Sequence, residues 1–478
     1  MEELFRKHNQ IRHKFRLFGG LSLIFGITAT ALFYKAGIGL NSFLFTVTMI
    51  LILVIASKNL KILITPGTSL CFLGAVLLAL SNALTSSWKL QFLNSVGTLL
   101  LLEVSLIRLF WAEKVKSLTD YLYNMFMLPI KTLSSVGMLF ADTNRFVKEK
   151  KLIKNERLRN ILTGCVIAIP ILIIIITLLS GADMVFGRIT RAMFEWFLYR
   201  DFYIILLLII LGTLLCYSLF CGASRESTIT THNKEKANPT IGITISTLLL
   251  IVYILFCTIQ ILYLFTGGLF TLPKEFTYSE YARQGFFELL AVTCLNIILI
   301  LICVNVFAAN KWLDAILTAI TAGTYIMIAS AGYRMLLYIE AYHLTFLRLF
   351  VLLFLLIDAL LLIGIIISIY HKQFPLFGYS VIVISLCYMT FSFSKPDYYI
   401  AKYLISHKEE ITNEDITFLT EELSYDAAPV VIPFLNEQYV NSTNSGFETY
   451  YERVADRAAK KDIRDYNYSY EKAYELIR

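Results

Sequence analysis

The side chains best suited to chemistry in this chain are charges beside or inside long apolar segments. Residues 278–292 carry Glu280, Arg283 and Glu288 just ahead of one such segment. On a helix, Glu280 and Glu288 share one face, and Arg283 is close enough to Glu280 to pair with it. Charge at a membrane boundary is costly and often marks a functional position, so we expect a polar stripe that runs into the bilayer.

A second polar segment, residues 333–348, is predicted to lie on the same side of the membrane. Helical spacing predicts two faces, one with Arg334, Tyr338 and Tyr342 and the other with Glu340, Leu344 and Arg348. A buried carboxylate needs a partner, so we expect Glu288 to pair with one of the two arginines. Such pairs would either lock helices together or line a path for a substrate or an ion.

Two further acids, Glu103 and Asp358, lie inside apolar segments. An ionised carboxylate at the centre of a membrane costs roughly 2.5–3.5 kcal/mol on insertion scales, so neither side chain should face lipid. They are compatible with proton or cation coupling. They are also compatible with hydrogen bonds that hold helices together, which is the more common role of isolated polar residues in spans.

The elements that must position these residues are membrane-spanning helices. Hydrophobic residues make up 57% of the 478, charged residues only 16%, and the mean hydropathy is +0.67, which excludes a soluble globular protein. Runs of about 18 apolar residues cross a bilayer as helices. We therefore predict an all-α polytopic integral membrane bundle of about 11 transmembrane helices (10–12). The predicted spans are 17–34, 39–56, 66–84, 91–111, 160–180, 202–221, 241–266, 286–308, 312–330, 346–370 and 377–393.

Four blocks organise the chain: a four-span block (1–113), a cytoplasmic connector (114–159), a seven-span block (160–394) and a polar helical tail (395–478). In the connector, residues 118–126 predict a helix on the membrane surface that Pro129 interrupts. Residues 184–200 predict a second interfacial helix.

Local signals refine two of these blocks. Pro170 should bend or break its span. In the tail, Thr412 and Asp415 predict a helix start, and Asn441 and Asn467 match the glycan acceptor pattern.

Orientation follows from the positive residues in the loops. With a cytoplasmic amino terminus, the inner segments hold 22 Lys and Arg and the outer loops hold 9, which is the bias expected of cytoplasmic loops. Eleven spans then place the carboxyl-terminal tail outside the cell. The net charge of +7 is thus a sign of topology and no evidence for nucleic acid, while the basic residues between Arg145 and Arg159 could hold anionic lipid.

Catalytic and metal-binding patterns are missing from the sequence. The eight cysteines fall in apolar spans without Cys-x-x-Cys spacing, and the six histidines form no His-Glu-x-x-His motif. Phosphate-binding and nucleophile-turn motifs are also missing. We expect no catalytic, cofactor-binding or metal-binding residues, and therefore no enzyme.

Five segments of the chain are distinctive: YSEYARQGFFELLAV (278–292), YRMLLYIEAYHLTFLRLF (333–350), LLSGADMVFGRI (178–189), KPDYYIAKYLI (395–405) and SYDAAPVVIPFL (424–435). Together they resemble a bacterial multi-pass family known only as domain of unknown function 4173, which is related to 4153. The resemblance covers about residue 160 to the carboxyl terminus. It implies a bacterial cell-membrane protein and supplies no catalytic or ligand residues.

Two classes of function remain open. The first is a non-enzymatic sensing, regulatory or assembly protein whose outer loops and tail contact an extracytoplasmic partner. The second is a secondary transporter or channel with Asp358 and Glu103 in a proton or ion path.

Overall fold

The chain is helical along almost all of its described length. A computed structural model describes residues 9–111, 115, 117–149, 156–196, 200–225, 236–262, 285–408, 410–439, 445–459 and 462–478. Within these ranges it forms helices and no β-strand, which confirms the all-α class.

The helices before the tail are α1 (Phe15–Phe33), α2 (Leu40–Leu60), α3 (Pro66–Leu84), α4 (Trp88–Trp111), α5 (Leu118–Leu133), α6 (Met138–Glu149), α7 (Glu156–Ala182), α8 (Met184–Trp196), α9 (Arg200–Ser224), α10 (Pro239–Gln260), α11 (Phe286–Val306), α12 (Lys311–Tyr342), α13 (Phe346–Tyr370) and α14 (Leu376–Phe393). The tail adds α15 (Pro396–His407), α16 (Asn413–Thr417), α17 (Ala428–Tyr439), α18 (Ser445–Ala459) and α19 (Tyr468–Ile477), with shorter turns between them.

Ten helices of the described chain are long and apolar enough to cross a membrane: α1 to α4 and α9 to α14. They coincide with ten of the eleven predicted spans. The remaining predicted span, 160–180, lies within α7, a helix of 27 residues. The chain is therefore a multi-pass membrane protein built as a helical bundle.

Two local predictions were wrong about where helices end. Pro129 lies inside α5, because a capping box between Ser117 and Asp120 secures the start of the helix and the proline removes only one late backbone bond. Helix α12 continues to Tyr342, beyond the predicted end of its span at residue 330. Helix α7 continues through Pro170, so the proline does not break its span, and the predicted bend stays a prediction.

The position at which α12 ends contradicts one of the two helical faces predicted for residues 333–348. His343 has a φ of 65°, which ends the helix, and α13 begins three residues later. The predicted face of Glu340, Leu344 and Arg348 is therefore wrong, because the three residues do not share one helix. Arg348 instead lies in the first turn of α13.

The chain packs into two units that each combine distant segments. Unit 1 comprises Met1–Ala83, Ser95–Thr230 and Asp462–Tyr466, and unit 2 comprises Leu84–Asn94, Thr231–Lys461 and Asn467–Arg478. Helix α4 contributes to both units. These limits differ from the four sequence blocks because segments far apart in the chain pack together.

Unit 1 contains a very close helix pair, α1 and α9. A Cβ atom built on Gly26 would lie 2.4 Å from the carbonyl oxygen of Ile209, and one on Gly212 would lie 2.9 Å from Gly26 Cα. Small residues allow such an approach between membrane helices. Helix α6 is joined to the same unit, since buried Asp142 accepts hydrogen bonds from Arg12 Nε (2.7 Å) and Tyr217 Oη (2.8 Å).

Unit 2 contains a bundle of α10 to α14 in which α12 contacts α10, α11 and α13. Its apolar core includes Leu317, Ile320 and Leu362, all fully buried. This bundle carries most of the polar side chains singled out from the sequence.

The tail in unit 2 has an apolar core of its own, with Ile400, Val431 and Leu435 at its centre. The predicted helix start at Thr412 and Asp415 is confirmed as a capping box. The core continues onto Leu344, Phe346 and Leu349 at the connection between α12 and α13. The tail is therefore folded against the ends of membrane helices.

Candidate functional site

The predicted stripe in residues 278–292 falls partly outside the described residues. Glu280 and Arg283 belong to the range 263–284, of which nothing is described. Glu288 is an exposed side chain in the first turn of α11. No ion pair recorded among the described residues joins it to either candidate arginine, so that pairing stays a hypothesis.

Arg334 lies in the interior of unit 2, where it is 6% exposed. Its Nη2 donates to Gln260 Oε1 over 3.1 Å, and Ser330 Oγ donates to the same oxygen over 2.6 Å. The amide at the end of α10 thereby joins two turns of α12. Gly285 has a φ of 95°, and a Cβ there would lie 2.9 Å from Arg334 Nη1, so a glycine is needed at this position.

Arg348, which lies on α13, caps the carboxyl-terminal end of α12. Its Nη1 donates to the carbonyl oxygens of Tyr342 and His343, which a helix end otherwise leaves unpaired. The guanidinium lies 4.2 Å from the ring centre of Tyr338, and the rings of Tyr338 and Tyr342 are 5.0 Å apart. The structure thus brings Arg348, Tyr338 and Tyr342 together, and their contacts stabilise the connection between α12 and α13.

Asp358 lies on α13 and is 3% exposed. Its Oδ2 accepts a hydrogen bond of 2.9 Å from Thr293 Oγ1 of α11. One turn further along α11, Asn296 donates to Thr324 (2.9 Å) and accepts from Tyr253 (2.5 Å). These bonds connect four helices inside an apolar core, and they fit the interpretation of Asp358 as an interhelical hydrogen-bonding residue.

Glu103 lies on the part of α4 that belongs to unit 1, so the two predicted acids occupy different units. Its Oε1 is buried and accepts no hydrogen bond from the described residues. Arg108, another charge in the same span, was not among the predicted site residues. Its guanidinium lies 5.7 Å from the ring centre of Tyr121 and packs against Gly67, where a Cβ would overlap with it.

A cavity in the tail was not predicted from the sequence. It has a volume of about 330 Å³ within unit 2, and two lysines, three tyrosines, Asp426 and Ser469 contribute to its lining. The lysines are Lys395 and Lys472. Because its residues come from three separate stretches of sequence, no local pattern could reveal it.

The two lysines of this tail cavity approach one aromatic ring. Lys395 Nζ lies 4.9 Å and Lys472 Nζ lies 6.0 Å from the ring centre of Tyr468. Lys395 Nζ also donates to Ser469 Oγ over 2.9 Å. Neither lysine takes part in an ion pair recorded among the described residues.

Asp426 forms part of the wall and ties the tail to the connection between α3 and α4. It is 2% exposed and accepts hydrogen bonds from Thr85 Oγ1 and from the backbone N–H of Ser86 (2.9 Å). Asn467 Nδ2 donates to the carbonyl oxygen of Thr85 over 2.5 Å. Asn467 is 3% exposed, so its match to the glycan pattern describes no accessible acceptor in the folded chain.

The electrostatics of the tail cavity favour an anionic occupant. Burial lowers the pKa of Lys395, nearby Asp426 raises it, and the charge of Lys472 lowers it again. Burial also raises the pKa of Asp397, although a 2.6 Å hydrogen bond from Ser424 Oγ opposes this. The cavity is lined by two lysines and by the carboxylate of Asp426, whose oxygens already accept hydrogen bonds from Thr85 and Ser86. An anion beside the lysines would relieve their mutual repulsion.

The described residues contain no group of three His, Cys, Asp or Glu side chains placed to hold a metal ion. A cavity with two ammonium groups, tyrosine rings and a satisfied carboxylate can hold and orient an anion.

One family model matches most of the chain. It is described as Domain of unknown function (DUF4153), and it covers residues 72–433. The chain belongs to this family. The match confirms a family of unknown function, under the number 4153 rather than 4173, and it begins within α3 instead of near residue 160.

The family region ends within α17, so the tail cavity combines residues inside and beyond it. Lys395 and Asp426 lie inside the matched range, whereas Tyr468, Ser469 and Lys472 follow it. Comparisons with curated proteins and with solved structures found no match.

Proposed function

We propose that the protein is a non-enzymatic sensing or regulatory protein of the bacterial cell membrane, and that its tail binds an anionic ligand. The observation that carries this proposal is the tail cavity, in which Lys395 and Lys472 approach the same ring, that of Tyr468. Paired ammonium groups attract an anion into a partly enclosed space, where solvent screens their charge less.

The walls of the tail cavity are attached to the ends of membrane helices, which supports a signalling role. Lys395 follows the last residue of α14 by two positions. Asp426 is bonded to Ser86, and Ser469 Oγ donates to the carbonyl oxygen of Leu84 over 2.8 Å. An occupant would therefore touch Lys395, which follows α14, and also Asp426 and Ser469, which are bonded to the connection between α3 and α4.

Hydrogen exchange on the full-length protein tests this proposal. We would titrate phosphate, sulfate and citrate at constant ionic strength and follow the exchange of the tail and of residues 84–87. We expect at least one anion to slow exchange in both places. The double substitution Lys395→Gln and Lys472→Gln should abolish the effect.

Lys402→Gln provides a matched control, because Lys402 is an exposed lysine of α15 outside the cavity lining. It should respond like the parent protein. A parent protein that responds to none of the three anions would contradict the proposal, as would a double variant that responds fully.

We further propose that the amino terminus lies in the cytoplasm and the tail outside. In unit 1, Arg464 donates to the carbonyl oxygens of Ala31 and Tyr34, which favours a tail on the side opposite to the residues before α1. In unit 2, the tail contacts both Ser86 and Phe346. Helices must then cross an even number of times between these points.

Five of the ten candidate spans lie between Ser86 and Phe346, so a crossing by α7 would make the number even. This supports eleven spans. With native cysteines replaced, an impermeant thiol reagent should label Glu475→Cys in intact cells and Lys58→Cys only after permeabilisation. The reverse pattern would overturn the orientation.

Two partners remain part of the proposal. The basic residues between Arg145 and Arg159 would hold anionic lipid; Arg145 is half-exposed and pairs with Glu149 over 2.7 Å, and residues 150–155 lie outside the described part. An extracytoplasmic protein could contact the tail. Loss of binding to anionic vesicles after neutralisation of the basic residues would support the first of these contacts.

The alternative function is a secondary transporter or channel, and Glu103 is the observation that favours it. Its buried Oε1 lacks a hydrogen bond from the described residues, as a proton-binding carboxyl would between transfers. Glu103→Gln and Asp358→Asn should then abolish a proton- or ion-dependent flux in vesicles. A parent protein without flux would contradict this alternative.

A further inference from the structure

The lining of the tail cavity narrows the class of its ligand. An ammonium is a compact charge with three donor directions, whereas the flat fork of a guanidinium matches carboxylate and phosphate bidentately. The cations among the described lining residues are the lysines Lys395 and Lys472. Both approach the ring of Tyr468, and lysines bind phosphate oxygens as point charges.

The size of the tail cavity indicates that the oxyanion carries an organic group. About 330 Å³ is within the range of pockets that hold small organic ligands. The rings of Tyr398 and Tyr425 line the remaining wall, where they can pack against carbon atoms. A bare inorganic ion would leave these surfaces uncovered.

The position of the tail cavity relates the ligand to the membrane surface. Helix α14 ends at Phe393, and Lys395 is the second residue beyond it. Lysines that follow a span lie at the level of the lipid headgroups. The cavity therefore begins where phosphate groups are concentrated.

We propose that the tail cavity binds the phosphate of an organic phosphate ester, supplied either by an anionic lipid headgroup or by a soluble phosphorylated compound. The inference rests on the proposed function and specifies its ligand. In the complex, the ammonium groups of Lys395 and Lys472 contact the phosphate oxygens, and the tyrosine rings contact the organic part.

The test compares full-length protein in nanodiscs of phosphatidylcholine alone, in nanodiscs that also contain phosphatidylglycerol, and in phosphatidylcholine nanodiscs with glycerol 3-phosphate added. Sulfate and citrate serve as competing anions. Protection of the tail only in phosphatidylglycerol identifies a lipid headgroup, and protection by glycerol 3-phosphate identifies a soluble ester. Either result supports the inference.

Lys472→Gln is the decisive variant, because Lys472 is exposed and no recorded hydrogen bond of the fold depends on it. It should weaken binding of the phosphate ester about tenfold, the loss expected for one charge-assisted hydrogen bond. Lys402→Gln should leave binding unchanged. Lys395→Gln serves as a second variant, with its melting temperature measured to detect loss of the bond to Ser469.

The outcomes separate this inference from the proposed function. If citrate protects the tail and no phosphate ester does, the phosphate assignment is wrong while an anion-binding tail remains supported. If no anion and no lipid protects the tail, both fail. Equal binding by the parent and Lys472→Gln would also refute the assignment.

Discussion

The contact between α1 and α9 offers a sharp test of the packing in unit 1. We predict that Gly26→Ala destabilises the protein and that Gly20→Ala does not. A Cβ on Gly26 would lie 2.4 Å from Ile209 O and 2.6 Å from Thr213 Oγ1. A Cβ on Gly20, in the same helix, would meet nothing within 4 Å.

The size of the expected destabilisation follows from how far α1 and α9 must move apart to accommodate the new Cβ. Carbon and oxygen normally approach to about 3.3 Å, so the helices would have to separate by about 0.9 Å. Overpacking of this kind typically costs about 1–3 kcal/mol. The gain of about 1 kcal/mol from replacing glycine by alanine in a helix applies to both variants, so it cancels in their comparison.

Thermal unfolding in detergent, followed with a thiol-reactive fluorophore, measures the difference. Cys216 and Cys221 of α9 are buried, so their reaction reports the opening of this helix once the other six cysteines have been replaced in both variants. At roughly 2–4 °C per kcal/mol for units of 150–250 residues, Gly26→Ala should melt roughly 2–12 °C below Gly20→Ala. Equal melting temperatures would refute the close backbone contact.

Three further predictions follow from buried polar contacts. Thr293→Val should cost roughly 1–3 kcal/mol in detergent melting because buried Asp358 loses its donor; Thr293→Ser should retain most of the stability, and equal losses in both would argue against the bond. Burial raises the pKa of Asp397 in the folded tail. The contribution of Asp397 to stability is therefore complete below its pKa in the unfolded chain, about 3.9, and is lost as the pH rises through its pKa in the folded protein. Hydrogen exchange of the tail, measured as a function of pH, should show this loss of stability in the parent protein and a smaller one in Asp397→Asn. The same pH profile in both proteins would contradict the prediction. Asn467→Ala should lower stability by roughly 1–3 kcal/mol, through loss of the α19 cap and of the bond to the Thr85 carbonyl, and unchanged melting would refute this role.

Structural features that depend on a short stretch of sequence could be predicted. The apolar runs identified ten described helices that could span a membrane, and the pair Thr412 and Asp415 identified a helix start. Both signals depend only on neighbouring residues. Pro129 was misread because one lost backbone bond does not end a helix that is capped at its start and packed along its length.

Features that depend on distant residues were not predictable. Asp426 carries no local signal, yet its contact with Ser86 joins positions 340 residues apart. The same holds for Lys395 and Ser469, which only folding brings to 2.9 Å. The helical pattern of the tail indicated which residues are apolar, but the cavity depends on how its helices are arranged.

The strength of the buried hydrogen bonds limits which conformational change a bound ligand could cause. Parting α11 from its neighbours would break the bonds of Thr293 and Asn296 inside an apolar core, at a cost of roughly 1–3 kcal/mol for each donor or acceptor left unpaired. A ligand at 100 times its dissociation constant supplies about 2.7 kcal/mol. The bonds of Asp426 and Ser469 are buried as well, since both residues are 2% exposed, so this free energy offsets the loss of about one such bond in either place. Asp426 and Ser469 line the tail cavity, whereas Thr293 and Asn296 do not. The proposed ligand would therefore act first on the connection between α3 and α4, to which Asp426 and Ser469 are bonded.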